Sequence, residues 1–325
     1  DRGADKTKQL ARALTNTRYK SVLSYPIIVK GETIGMLVLL KELPDGFNKE
    51  MTKIVATFAN QAGISIENFR LMEEALQNER YKEELNIAKK VQKQLLPDTL
   101  ELDQAFDIAA FSESADEVGG DYYDTLRINE NKIALIVADV SGKGTSAAFH
   151  MSQMKGIFHS LAQQDIEPDE FMFRANNALA HCLERGSFIT AVFFIINTQT
   201  RTVKFARAGH CPILFYNATE GTMHFSKEKG MGLGVVKGPD YKKFIYSSEY
   251  SYKTGDIMVL YTDGITEAKN PKGQEFGMDG LFSAVNKATG ASSKEIQERI
   301  IQSLYNFSGK DEIDDDYTTM VLKFN

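Results

Sequence analysis

The stretch KIALIVADVSGKG, residues 132–144, together with VGGDYYD at residues 118–124, decides how this chain folds. The first half of the longer stretch is a continuous apolar run, the pattern of a strand buried on both faces. That run ends on Asp139, and Asp121 stands a short way upstream behind two glycines. A carboxylate beside a dry strand costs free energy unless something compensates its lost hydration. A capped helix, an ion pair or a bound cation are the available compensators.

Outward from this stretch the chain alternates helices and strands. TSAAFHMSQMKGIFHSLA (145–162) and EPDEFMFRANNALAHCLERG (167–186) read as helices. The strands FITAVFFII, VKFARA and ILFYNA follow in close succession, with a turn at NTQTRT (197–202). Such short strand–turn–strand spacing predicts antiparallel pairing rather than a doubly wound parallel sheet. DIMVLYTDG, the helical segments MDGLFSAVNKA and SKEIQERIIQSLYNF, and a last strand YTTMVLKF complete the pattern. The expected class is α+β, an antiparallel sandwich flanked by helices.

Upstream, three regions separate. Residues 1–72 hold two short strands, SVLSYPIIV and TIGMLVLLKEL, joined by a turn at Lys30-Gly31-Glu32 and followed by a helical segment. Residues 73–96 are charge-rich and free of Gly and Pro. There Tyr81, Leu85, Ala88, Val91 and Leu95 recur every three or four positions along one helix face. Either this helix packs on its own domain or it pairs with a second copy as a coiled coil, which implies a homodimer. Residues 97–325 form the third region. The opening residues DRGADKTKQLARAL read as the interior of something longer.

Of the 325 residues, 42% are hydrophobic and 25% charged, and the net charge is -6, which argues against nucleic-acid binding. No apolar run approaches a bilayer span, so no membrane crossing is expected. The two cysteines, Cys182 and Cys211, lack zinc-ligand spacing and suit a reducing cytoplasm.

Aspartates stand at the borders of three strands: Asp139, Asp263, and the run Asp314, Asp315 and Asp316. Asp121 and Asp124 lie in the expected GGDYYD turn. Any one of them could simply bond to nearby backbone. If the strands are neighbours, however, the charges converge and repel unless hard divalent cations neutralise them, and oxygen-only ligands point to magnesium or manganese. A P-loop is excluded, because Val137 stands where its first glycine belongs and Gly144 where its Ser or Thr belongs. GMGLG (230–234) lacks a leading strand and reads as a flexible turn rather than a dinucleotide fingerprint. Gly142 and the backbone around it, opening a helix, could still present N–H groups to an anion, with Lys143 adding positive charge.

VGGDYYD, ADVSGKGTSAAFHM, AGHCPIL, GDIMVLYTDGITEA and DDDYTTMVL together resemble, in order, the SpoIIE/RsbU-type branch of the PP2C-like (PPM) serine/threonine protein phosphatases. YPIIVKGETIGMLVLLKE and FANQAGISIENFRLMEEA resemble the C-terminal part of a GAF sensor domain. The resemblance implies a PP2C-like α/β/β/α sandwich preceded by a partial GAF domain and a helical linker. It also implies two Mn²⁺ or Mg²⁺ ions and hydrolysis of phosphoserine or phosphothreonine on a protein, such as a STAS-type anti-sigma-factor antagonist. Asp139 would bridge the ions, with the Val140 carbonyl, Asp121, Asp263 and Asp315 as further ligands. Asp315 is chosen because it opens the family's Asp-Asp-x-Thr pattern. A ligand or protein input to the GAF region is also implied. Ser141 stands where animal-type members carry a histidine, so the proton donor to the leaving group is not identified. His210 is a motif residue that could substitute as that donor, but its neighbours favour a turn-stabilising role; His150 and His159 read as packing or surface residues. A catalytically silent scaffold is the alternative, although no acidic position of the motifs is lost.

Overall fold

The computed structural model describes residues 18–309 and 313–325. The opening segment read above, residues 1–14, lies outside the described residues. The chain divides into two compact units between Glu84 and Leu85.

In the first unit β1 (Ser21–Val29) pairs antiparallel with β2 (Glu32–Lys41). Lys30 and Gly31 both take positive φ, 49° and 85°. That is the two-residue hairpin turn whose twist matches the strands, and glycine adopts it without a Cβ penalty. A single 45-residue helix, α1 (Lys49–Lys93), follows, with the Asn48 side chain accepting from the Met51 N–H at its start. The two helical segments expected from sequence are thus one helix, since neither Gly nor Pro interrupts residues 64–96. It carries the chain across the division.

The second unit contains two five-stranded sheets. The first has the order β10-β7-β6-β5-β4, formed by β4 (Tyr122–Asn129), β5 (Lys132–Val140), β6 (Ile189–Asn197), β7 (Thr202–Ala208) and β10 (Ser247–Ser251). The second has the order β3-β12-β11-β8-β9, formed by β3 (Phe106–Glu113), β8 (Leu214–Asn217), β9 (Thr222–Phe225), β11 (Ile257–Tyr261) and β12 (Tyr317–Phe324). Neighbouring strands in both sheets are antiparallel.

Alternation along β5 shows how the layers stack. Ile133, Leu135 and Val137 point into a core shared with Phe215, Met258, Leu260, Met320 and Leu322 of the second sheet. Ala134, Ile136 and Ala138 point the other way, onto Met151, Phe158 and Phe171 of helices α2 (Thr145–Ala162) and α3 (Pro168–Leu179). On the far side, Val259, Tyr261 and Val321 pack on Leu281, Ile296 and Ile300. These come from α5 (Gly277–Asn286) and α6 (Ser293–Ser308), which follow the one-turn helix α4 (Asp263–Thr266). The result is the expected α/β/β/α sandwich. Each fully buried large side chain contributes about 1.5–3 kcal/mol. Stacking of Phe171 on Phe193, with centroids 3.8 Å apart, fastens α3 to its sheet.

Three sequence expectations are corrected. The GGDYYD turn ends at Asp121, and Tyr122–Asn129 is strand, because Tyr122 and Asp124 both face inward. The helix expected over residues 167–186 stops at Leu179, ahead of Gly186. GMGLG has no regular structure but is not loose: Leu233 and Ile189 exchange backbone hydrogen bonds of 2.8 and 3.0 Å.

Candidate active site

Strand pairing brings the acidic residues together at one end of the sandwich. Tyr122 pairs with Ala138, so Asp121 and Asp139 stand at adjacent strand ends in the first sheet. Tyr261 pairs with Thr319 in the second sheet. Asp263 therefore leaves β11 beside the segment 313–316 that enters β12. The two sheets meet at Asp121, whose Oδ2 accepts from Thr262 Oγ1 at 2.8 Å and Thr318 Oγ1 at 2.7 Å.

Electrostatics show how near these groups are. Burial first, then the charges of Asp263, Asp315, Asp316 and Glu267, push the Asp139 carboxyl up to about 7. Burial and the Asp139 charge hold Asp121 well above the ordinary carboxylate range, with the two threonine hydroxyls working the other way. Asp263 and Glu267 are raised by burial and then chiefly by neighbouring carboxylates. The Cys211 thiol, pushed up to about 12 by burial and then by Asp263, Asp139 and Asp121, is a neutral neighbour of the same cluster.

The glycines before Asp121 have a steric reason. A Cβ on Gly119 would stand 2.5 Å from Asp316 Oδ2, and one on Gly120 would stand 2.8 Å from the Val140 carbonyl oxygen. Asp316 accepts from the Gly120 N–H at 2.6 Å and the Ala115 N–H at 2.9 Å, which holds the loop in place. Val140 itself is buried, with its carbonyl toward this loop.

Gly142 and Gly144 take φ of 96° and 74°, and α2 begins without a side-chain cap. Lys143 Nζ lies 2.8 Å from Asp315 Oδ1 and 2.9 Å from the Asp314 carbonyl, so the lysine ties this loop to the entry of β12. Ser141 is occupied with the backbone of Phe188, to whose N–H its Oγ is an acceptor at 2.9 Å. His210 is buried, with Nδ1 2.8 Å from Thr190 Oγ1, and burial and Arg207 push it down to about 3. It is a neutral structural imidazole near neutral pH.

The donors are all oxygens, they repel one another, and Asp121 Oδ1 is buried without a hydrogen-bond partner. These features fit a hard divalent cation. Among the described residues no three His, Cys, Asp or Glu side chains form a closed ligand group. Asp315 turns to Lys143, and one oxygen of Asp121 turns to the threonines. Sequence reasoning missed Thr262, Thr318 and Glu267, and named Asp316 only as part of the strand-border run, choosing Asp315 as the ligand. Thr262 directly precedes Asp263 and Thr318 stands two positions after Asp316, so polar residues close to the strand-border aspartates were the available signal for the threonines.

A two-sheet sandwich with an acid cluster at the strand ends is the architecture of a PP2C-type phosphatase. The family model for stage II sporulation protein E (SpoIIE) matches residues 129–325, and the GAF domain model matches residues 3–66. The chain is 31% identical over 242 residues to the phosphoserine phosphatase RsbU of Bacillus subtilis, covering 74% of this chain and 70% of that protein. It is 26% identical over 228 residues to phosphoserine phosphatase RsbP of the same species, covering 69% of this chain and 53% of that one. The SiaA-PP2C domain of Pseudomonas aeruginosa shares the fold at a TM-score of 0.67 and 20% identity, over 77% of this chain and all of that one. RsbX, solved in complex with magnesium, does so at 0.52 and 17% identity, over 70% and 99%. The chain belongs to the SpoIIE family: a PP2C-type phosphatase domain preceded by a GAF segment.

Proposed function

We propose that this protein is a metal-dependent serine/threonine phosphoprotein phosphatase, regulated through its N-terminal region. The observation that carries the reading is a buried acid cluster in which Asp139 acts on Asp121, Asp263 and Asp315 act on Asp139, and one oxygen of Asp121 has no hydrogen-bond partner. Asp139 would contact both of two Mn²⁺ or Mg²⁺ ions, with Asp121, Asp263, Asp315 and the Val140 carbonyl as the remaining protein ligands. Such ions, when bound, lower the pKa of water and neutralise phosphoryl charge. The magnesium complex of RsbX supports the choice of cation.

The chain's own residues supply the rest. Thr262 and Thr318 donate to Asp121, and Asp316 holds the Gly119-Gly120 loop in place. The Gly142 and Lys143 loop at the start of α2 would orient the phosphoryl group through backbone N–H groups and an ammonium. Lys143 would leave Asp315 to do so.

The substrate would be a phosphoserine or phosphothreonine protein, and the names of RsbU and RsbP favour phosphoserine. A STAS-type anti-sigma-factor antagonist is the partner of choice. We place the working partition at residues 1–72 (GAF part), 73–96 (helical linker) and 97–325 (phosphatase). A homodimer through the linker is supported by the exposure of Leu76, Tyr81, Ile87 and Val91 along α1. Two free cysteines support a cytoplasmic location, and among the described residues no helix is long and apolar enough to cross a membrane. Hydrolysis of an aryl phosphate with Mn²⁺ tests the reading. Asp139→Asn should cut the rate by more than about a hundredfold, beyond the usual loss for a group that only orients a ligand. Activity indifferent to both chelator and substitution would overturn it.

A further inference from the structure

The two oxygens of Asp121 are treated differently. The side chain is buried, and Oδ2 takes hydroxyl protons from Thr262 and Thr318 at 2.8 and 2.7 Å while Oδ1 takes none. Both threonines are themselves fully buried and held from behind. Thr262 Oγ1 accepts the Thr318 N–H at 2.8 Å, which directs its single proton away from that N–H and onto Asp121. Thr318 sits in β12, and Ser112 Oγ of β3 lies 2.8 Å from its hydroxyl. A carboxylate gripped on one oxygen by two such donors cannot turn about its last torsion without breaking both bonds. The direction of Oδ1 is therefore set by the second sheet, not by the strand that carries Asp121.

We propose that Thr262 and Thr318 are positioning residues for cation binding, which occupy one oxygen of Asp121 and leave Oδ1 as its ion-facing atom. This rests on the assignment of Asp121 as a ligand. Loss of a group that orients a metal ligand costs about 10–100-fold in metal affinity. A tie that merely joined the two sheets would show in thermal stability alone.

The test is calorimetric titration of Mn²⁺ into the full chain, alongside thermal melts. Thr262→Val and Thr318→Val should each raise the Mn²⁺ Kd about 10–100-fold. Thr318→Ser, which keeps the hydroxyl, should bind as the parent does. In an Asp121→Asn background Thr318→Val should add no further loss, as expected of residues acting through one another. If Thr318→Val does not fold, Thr262→Val carries the same test. Parental Mn²⁺ affinity in the folded valine variants, with Asp121→Asn still impaired, overturns the inference alone. Parental affinity in Asp121→Asn removes the ligand assignment and this inference with it.

Discussion

Asp121 and Asp124 are three residues apart and both buried, at 5% and 2% exposure, yet the fold compensates them in opposite ways. Asp124, for which sequence suggested no role, is surrounded by donors. Its Oδ2 accepts from Tyr122 Oη at 2.8 Å and Lys155 Nζ at 3.1 Å and lies 2.9 Å from His159 Nε2, while Oδ1 accepts the Thr125 N–H. Lys155 and His159 belong to α2, so this carboxylate fastens a helix to β4. Asp121 has two hydroxyls on one oxygen, nothing on the other, and more carboxylates around it. Both groups have lost water. One is neutralised by the protein's own cation, Lys155, and the other has no such partner, which is where our proposal places a divalent ion. That difference separates a structural acid from the proposed ligand.

Removing Asp124 should produce the largest effect. Asp124→Ala should cost about 3 kcal/mol, the low end for breaking a buried pair, because Lys155 and His159 still reach water. Thermal melts should fall by roughly 6–12 °C, with Mn²⁺ affinity unchanged. A matching loss of Mn²⁺ affinity would erase the contrast between the two aspartates.

Charge removal at Asp139 should do the reverse. Its folded carboxyl titrates at about 7 against an ordinary 3.8, so folding favours the protonated form. In chelator, that contribution is fully present below about pH 3.8 and is lost as pH rises through 7. Asp139→Asn should therefore melt about 2–4 °C higher than the parent at pH 8, corresponding to about 1 kcal/mol. The gain should shrink as pH is lowered towards 5. A lower melting temperature at pH 8 would show that the cluster does not repel itself.

The smallest effect belongs to Lys143. Its pair with Asp315 is half exposed on both sides, which limits its worth to about 0.2–1 kcal/mol. Lys143→Met should tighten Mn²⁺ binding by about 1.5- to 5-fold, because the ion no longer competes with an ammonium for Asp315. Weaker binding in the calorimeter would sink that reading and place the lysine on the same side as the ions.

Much of the architecture was legible because apolar periodicity is local. KIALIVA announced burial on both faces, and β5 has a sheet on one side and helices on the other. Strands β3, β9 and β10 escaped notice; the short sequences of the last two, TMHF and SSEYS, are half exposed and carry little apolar signal. The site was legible as a set of acids at strand borders. The partners of those acids were not, since Thr318 is 197 positions from Asp121 and Asp316 is 196 from Gly120.

From residue order alone came most of the strands, the long helices, the sandwich class and the suspicion that strand-end aspartates share a cation. Hydrophobic spacing and the cost of dehydrating a carboxylate act within a few residues, so they can be read along the chain. Which oxygen of Asp121 is free, and which aspartate is already neutralised, depended on side chains delivered from another sheet or from a helix more than thirty residues away. Hydrogen bonds and ion pairs require contact, and contact between distant segments exists only once the sheets have packed.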